Sequence, residues 1–122
     1  MEDDSSPIQK AIRDLELDQL EKKYKLYFQR TSLSEAHRVI ELLLPLANPL
    51  SRPLQLRLLI PYDYPDSPCA IQIQNHDISL DAKRHIQDAF EVHEWSQARH
   101  TTLVQQLDWL SIHTPTLLAQ TR

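Results

Sequence analysis

The sequence contains no glycine in its 122 residues, whereas glycine averages about 7% of protein residues. Phosphate-binding loops, dinucleotide-binding turns and glycine-rich kinase loops all need glycine, because the backbone there adopts positive φ or approaches a phosphate closely. Nucleotide-binding motifs of these kinds are therefore excluded. Eight prolines mark many of the turns instead, and most of them lie between residues 45 and 68.

Cysteine, long apolar runs and basic clusters are also scarce. The single cysteine, Cys69, has no partner for an internal disulfide, and the first ten residues are too polar for a signal peptide. The longest apolar stretch, residues 39–46, is interrupted by Glu41 and Pro45, so no membrane span is predicted. The net charge is −4, and this argues against nucleic acid as a partner. We expect a cytoplasmic and/or nuclear protein.

Hydrophobic periodicity predicts an α+β fold in which a four-stranded antiparallel meander is covered by an N-terminal helix and two C-terminal helices. Short connections favour the meander, because parallel neighbours need long crossovers. Residues 1–6 are predicted to be flexible, and residues 7–122 to form one domain, placed at the N-terminus of a larger protein. The predicted elements are a helix over 7–23, strands over 24–30, 37–46, 54–60 and 70–74, and helices over 81–94 and from about 96 or 101 to 113.

These hydrophobic periods also predict the environment or role of several individual side chains. Arg13 is assigned to the solvated side of the first helix, and Leu26 to the inward side of the first strand. Asp81 is predicted to cap the second helix, and Pro115 to end or kink the third, with one further turn at Leu117 and Leu118 left open. The stripe of the first helix assigned to the core is Ile8, Ala11, Ile12 and Leu15.

Residues 60–68 form a proline-rich connection between the third and fourth strands. Its prolines fix φ and remove backbone donors, while its tyrosines can lay their rings on the core and keep their hydroxyls at polar partners. A rigid structural turn is favoured over a binding pocket. The structural motif comprises Pro61, Tyr64, Pro65 and Pro68.

This connection, together with the element order, resembles the RWD domain, a relative of the ubiquitin-conjugating fold. The resemblance covers residues 8–118. It departs from the RWD pattern in one respect, because only Asp66 and Ser67 separate the Tyr-Pro pair from the next proline. It implies a non-catalytic adaptor that recruits a protein partner in translational stress control or ubiquitin-ligase pathways. The alternative is a catalytically dead conjugating-enzyme variant that binds ubiquitin or an active conjugating enzyme.

No catalytic or cofactor site is predicted. No cysteine follows Cys69, and thioester transfer needs a sulfur nucleophile, while Cys69 itself is expected to be a small buried thiol. The six histidines lack zinc-ligand spacing, so no metal is expected. A triad of Ser79, His76 and Asp81 is rejected because residues this close in sequence rarely converge.

Candidate partner-binding residues lie in three places. Tyr62 belongs to the proline-rich connection, and Trp95 stands at a predicted helix junction, where an exposed tryptophan favours a partner site. The outer face of the last two helices supplies the others, which are Arg84, Glu91, Arg99 and Gln106.

Overall fold

The computed structural model describes residues 7–48, 52–64, 67–92 and 102–120. Its elements are α1 (Pro7–Tyr24), a 3-10 turn (Lys25–Tyr27), β1 (Phe28–Leu33), β2 (His37–Leu44), β3 (Leu54–Pro61), β4 (Ala70–Ile73), α2 (Leu80–Val92) and α3 (Leu103–Gln120). The predicted α+β class and element order are confirmed. The flexible segment predicted for residues 1–6 lies outside the described residues, and the single domain over 7–122 stays a prediction.

The four strands form an antiparallel sheet in the order β1-β2-β3-β4, which is the predicted meander. Its alternating side chains place one row of apolar residues under the helices, and the register pairs Leu42 with Leu56 and Leu56 with Ile73. β3 has the clearest alternation, because Leu54, Leu56, Leu58 and Ile60 are all buried while the residues between them are half-buried.

The core lies between this inner face of the sheet and the three helices. α2 contributes Ile86 and Phe90, and α3 contributes mainly leucines. α1 contributes Leu20 and Tyr24, and the Tyr24 hydroxyl also donates to the Asp108 carboxylate of α3. All three helices therefore share one core with the sheet.

The predicted orientation of α1 is wrong. Ile8 and Leu15 are 73% and 59% exposed, whereas Arg13 and Glu16 are only 5% and 3% exposed. The physical reason is that the apolar residues of α1 fall on two faces. The apolar residues nearer its end, which include Leu20 and Tyr24, are buried. Arg13 and Glu16 lie on the same face of this straight helix, so they are buried as well.

The start of β1 also differs from the prediction. α1 continues to Tyr24, and Leu26 lies in the 3-10 turn with 95% of its surface exposed, so it does not face the core. β1 instead continues through residues 31–33, which lie between the first two predicted strands. A tighter hairpin follows, where the Ser34 hydroxyl donates to the His37 carbonyl and accepts from its amide, at 3.1 Å in both cases.

The caps of α2 and α3 are made by hydroxyls. Ser79, rather than the predicted Asp81, caps α2 by accepting the Ala82 amide at 3.1 Å. In α3, the Thr102 hydroxyl accepts the Gln105 amide and the Gln105 side chain accepts the Thr102 amide, which is a reciprocal capping box.

Pro115 lies inside α3 and does not end it, because the helix continues to Gln120. A proline lacks the amide that would bond to the carbonyl four residues earlier, here that of Ser111. That carbonyl accepts the Ala47 amide at 3.0 Å, and the Ser111 hydroxyl donates to the Pro45 carbonyl at 2.6 Å. The segment after β2 thus replaces the missing helical bond.

A leucine-to-alanine substitution should lower the free energy of unfolding by different amounts on the two faces of α1. Leu20→Ala should lower the free energy of unfolding by about 2–5 kcal/mol, because it removes buried methyl groups and leaves a cavity. Leu15→Ala, on the exposed face, should change it by about 0.5 kcal/mol or less. Urea unfolding followed by circular dichroism measures both, and equal losses would contradict this orientation of α1.

Candidate functional site

The proline-rich connection leaves β3 at Pro61 and turns at once back toward the helices. The Tyr64 amide donates to the Pro61 carbonyl at 3.1 Å, which closes a tight turn. This turn carries the Tyr64 ring into the core, where the residue is 2% exposed. The Ser67 hydroxyl donates to the Asp63 carboxylate at 2.6 Å and braces the outer side. Pro68 is exposed, and Pro65 lies outside the described residues.

Tyr64 ends at a buried polar group that we name the Glu16 cluster: Glu16, Tyr64, Gln106 and the backbone amide of Leu103. The Glu16 carboxylate accepts the Tyr64 hydroxyl at 2.6 Å and the Leu103 amide at 2.9 Å. The Gln106 side chain donates to the Tyr64 hydroxyl at 3.3 Å. The cluster joins α1, the connection and the first turn of α3.

Two physical effects offset the burial of the Glu16 carboxylate. Hydrogen bonds to a carboxylate are stronger than those between neutral groups. In addition, the first turn of a helix carries a partial positive charge, so the start of α3 at Leu103 is a favourable place for a carboxylate. The sequence analysis missed Glu16, because it did not consider this charged residue as part of the core.

Arg13 and Tyr62 make a second contact between α1 and the connection. Arg13 is buried, and its guanidinium donates to the backbone carbonyl of Tyr62. The Tyr62 hydroxyl donates to the Ser34 carbonyl at 2.6 Å, which ties the connection to the β1–β2 hairpin. Tyr62 is thus half-buried and engaged on both its backbone and its side chain.

Electrostatics at the cluster oppose nucleophilic chemistry. Burial, with the hydrogen bond to Glu16 second, raises the pKa of the Tyr64 hydroxyl well above its ordinary value. Burial, with the charge of Glu16 second, likewise raises the pKa of the Cys69 thiol. Cys69 is a free, buried cysteine. It stays protonated at neutral pH, and a protonated thiol is a poor nucleophile.

An open groove of about 460 Å³ lies between α1 and the start of α3. Its two lysines are already paired, Lys22 with Asp18 at 2.9 Å and Lys23 with Asp108 at 2.8 Å. The capping box uses the polar groups of Thr102 and Gln105 at its other wall. The groove is lined by Gln19, Lys22, Lys23, Thr102, Val104 and Gln105.

No group of three or more potential metal ligands occurs among the described residues. Two of the histidines make ordinary contacts instead. His85 pairs with Gln120 at 2.9 Å, and His113 stacks on the Trp109 ring with 4.6 Å between centroids. Within the same residues, no helix is both long and apolar enough to cross a bilayer.

The described members of the predicted partner-binding set lie on different elements. Arg84 and Glu91 are exposed on α2, whereas Tyr62 lies at the end of β3. Trp95 and Arg99 lie outside the described residues. Gln106 does not face outward as expected, since it is 4% exposed and belongs to the Glu16 cluster. Partner binding by Tyr62, Arg84, Glu91, Trp95 and Arg99 stays a prediction.

Taken together, these features define an α+β domain whose buried polar groups hold its helices and sheet in place. A family model that describes the C-terminal domain of the ARC105/Med15 subunit of Mediator matches residues 8–112. The chain therefore belongs to this family. A comparison with curated proteins finds no match.

The family match overturns the RWD resemblance, and with it the predicted roles in translational stress control and ubiquitin pathways. The resemblance rested on the element order and on the Tyr-Pro connection. In this chain the connection serves packing, because its tyrosines reach Glu16 and Ser34. A packing turn of this kind does not by itself identify a family.

Removing the Tyr64 hydroxyl should weaken the Glu16 cluster. We expect Tyr64→Phe to lower the free energy of unfolding by about 1.5–3 kcal/mol, because a buried carboxylate loses a donor. Tyr62→Phe is the matched control, and it should cost about 1 kcal/mol or less, since its bond to Ser34 is exposed. Chemical denaturation of both variants measures the difference, and a smaller loss for Tyr64→Phe than for Tyr62→Phe would contradict the cluster.

Proposed function

We propose that this chain is a non-catalytic, protein-binding part of the Mediator coactivator and acts in transcription. The observation that carries the proposal is the family match over residues 8–112. A subunit of an assembly works by holding other proteins, so its partners are proteins of that complex. Of the two compartments expected from the sequence, the nucleus is the one that the family favours.

The chemistry of the described residues supports binding rather than catalysis. The Cys69 thiol is buried with a raised pKa, and the polar groups of the Glu16 cluster contact one another. An active site needs titratable groups that converge on an accessible pocket. The open groove beside α3 instead has paired lysines at its wall.

Surface charge agrees with a protein partner. The net charge is −4, and nucleic-acid binding requires basic clusters that release counterions from phosphates. On α2, Arg84 and Glu91 lie two turns apart and are both exposed. We retain them, with Tyr62, Trp95 and Arg99, as proposed contact residues whose partner is a protein.

The test is quantitative affinity purification of the tagged chain from nuclear extracts of its source, with an untagged extract as control. We expect Mediator subunits to be enriched together and the tagged chain to lie in the nucleus by microscopy. Enrichment of ubiquitin-conjugating enzymes without Mediator subunits, or exclusion of the chain from the nucleus, would contradict the proposal.

A further inference from the structure

The sequence contains three serine or threonine residues directly before a proline, in the pairs at residues 6–7, 67–68 and 114–115. Proline-directed protein kinases phosphorylate serine or threonine in this position. Ser6 lies outside the described residues. Thr114 is buried inside α3 with 0% of its surface exposed, so a kinase cannot reach its hydroxyl in the folded protein. Of the two described pairs, the one at Ser67 is therefore the pair that the fold presents to solvent.

Ser67 lies in the connection between β3 and β4, where loops tolerate changes of shape. The residue is half-buried, and its neighbours Pro68 and Asp63 are exposed. The Ser67 hydroxyl donates to the Asp63 carboxylate at 2.6 Å, in a hydrogen bond that is itself exposed to solvent. We name this hydrogen bond the Ser67 brace. Neither Ser67 nor Pro68 belongs to a helix or strand, so fitting this pair into a kinase cleft breaks no helical or sheet hydrogen bond of these two residues.

We propose that Ser67 is a phosphorylation site for a proline-directed kinase, and that the phosphate breaks the Ser67 brace and loosens the connection. In this reaction the Ser67 Oγ forms a bond to the γ-phosphorus of ATP, and the bond from that phosphorus to the bridging oxygen breaks. ADP leaves, and the hydroxyl proton passes to the base of the kinase. The inference goes beyond the proposed function and does not depend on it, because it concerns a modification of the chain and not its partner.

The phosphate would break the brace because it places two negative groups together. The modified Ser67 has lost the proton that it donates to Asp63. A phosphoserine carries about −1.5 to −2 charges near pH 7, and its three terminal oxygens are hydrogen-bond acceptors. The Asp63 carboxylate is an acceptor as well. The attractive contact therefore becomes a repulsive one, which is the effect of a phosphate placed beside an acidic side chain.

The position of the brace determines what this repulsion acts on. Asp63 lies inside the tight turn that the Tyr64 amide closes onto the Pro61 carbonyl at 3.1 Å. Tyr64, the next residue, reaches the core and donates to the Glu16 carboxylate at 2.6 Å. Repulsion at Asp63 thus acts on the turn that holds Tyr64 in place. We expect phosphorylation of Ser67 to lower the stability of the domain.

The modification is tested by incubating the full chain with ATP and a purified cyclin-dependent kinase and locating phosphate by mass spectrometry. We expect phosphate at Ser67 and none at Thr114 in the folded chain. Pro68→Ala should reduce phosphorylation of Ser67 by about tenfold or more, because the kinase loses its contact with the proline ring. A synthetic Ser-Pro peptide is the control for kinase activity. No phosphate at Ser67 while that peptide is modified, or equal phosphorylation of Pro68→Ala, would overturn the proposal.

The effect of the charge is tested by thermal unfolding of Ser67→Glu and Ser67→Ala, which both lose the brace but differ in charge. At low salt the midpoint of Ser67→Glu should lie about 2–5 °C below that of Ser67→Ala. The gap should shrink in about 1 M NaCl, where charges are screened over about 3 Å. The phosphorylated chain, with almost twice the charge of glutamate, should unfold at a lower temperature than Ser67→Glu.

Asp63→Asn is the matched control, because asparagine keeps an acceptor for the Ser67 hydroxyl and removes the negative charge. In this background the gap between Ser67→Glu and Ser67→Ala should fall to about 1 °C or less. A gap that Asp63→Asn leaves unchanged would overturn the proposed repulsion. A phosphorylated chain that is as stable as the unmodified chain, or more stable, would also overturn it.

Discussion

The buried carboxylate of Glu16 is the constraint on which the arrangement of the helices depends. It lies on α1 and accepts hydrogen bonds from Tyr64 in the connection after β3 and from the first amide of α3 at Leu103. A buried carboxylate without donors is strongly unfavourable, so these three distant segments must arrive together. Gln106 completes the group by bonding to Tyr64. The position of α3 and the turn after β3 are thereby fixed relative to α1.

The same constraint decides what the surface presents. Because Arg13 and Glu16 face inward, Ile8 and Leu15 on the other side of α1 face outward. Most surface helices bury their apolar side and expose their charges. In its first half α1 instead buries Arg13 and leaves Ile8 and Leu15 in contact with solvent.

Sequence periodicity was enough to predict the buried face of β3, but it was insufficient for α1 and for the start of β1. The alternation in β3 left one choice of buried face, and Leu54, Leu56 and Leu58 occupy it. α1 offered two apolar faces, and only the partners at Tyr64 and Leu103 decide between them. Those partners are distant in sequence, so no local pattern reports them.

Two further limits of sequence reasoning have the same long-range origin. Pro115 was expected to end or kink α3. It does not end the helix, which continues to Gln120, and the distant Ala47 amide bonds to the Ser111 carbonyl that the proline leaves without a helical partner. The Tyr-Pro connection places Tyr64 in the core, yet the family that this connection suggested was wrong. Unrelated proteins can use the same packing arrangement, so the arrangement identifies neither a family nor a function.

Amide hydrogen exchange at Leu103 measures directly whether the Glu16 carboxylate holds the start of α3. The first amides of a helix have no partner within the helix and ordinarily exchange fast. Because the Glu16 carboxylate accepts this amide at 2.9 Å in a buried position, we expect Leu103 to exchange as slowly as core amides of β3. Glu16→Ala should remove that protection. Exchange of Leu103 in the wild-type chain at the rate of an exposed amide would contradict the account.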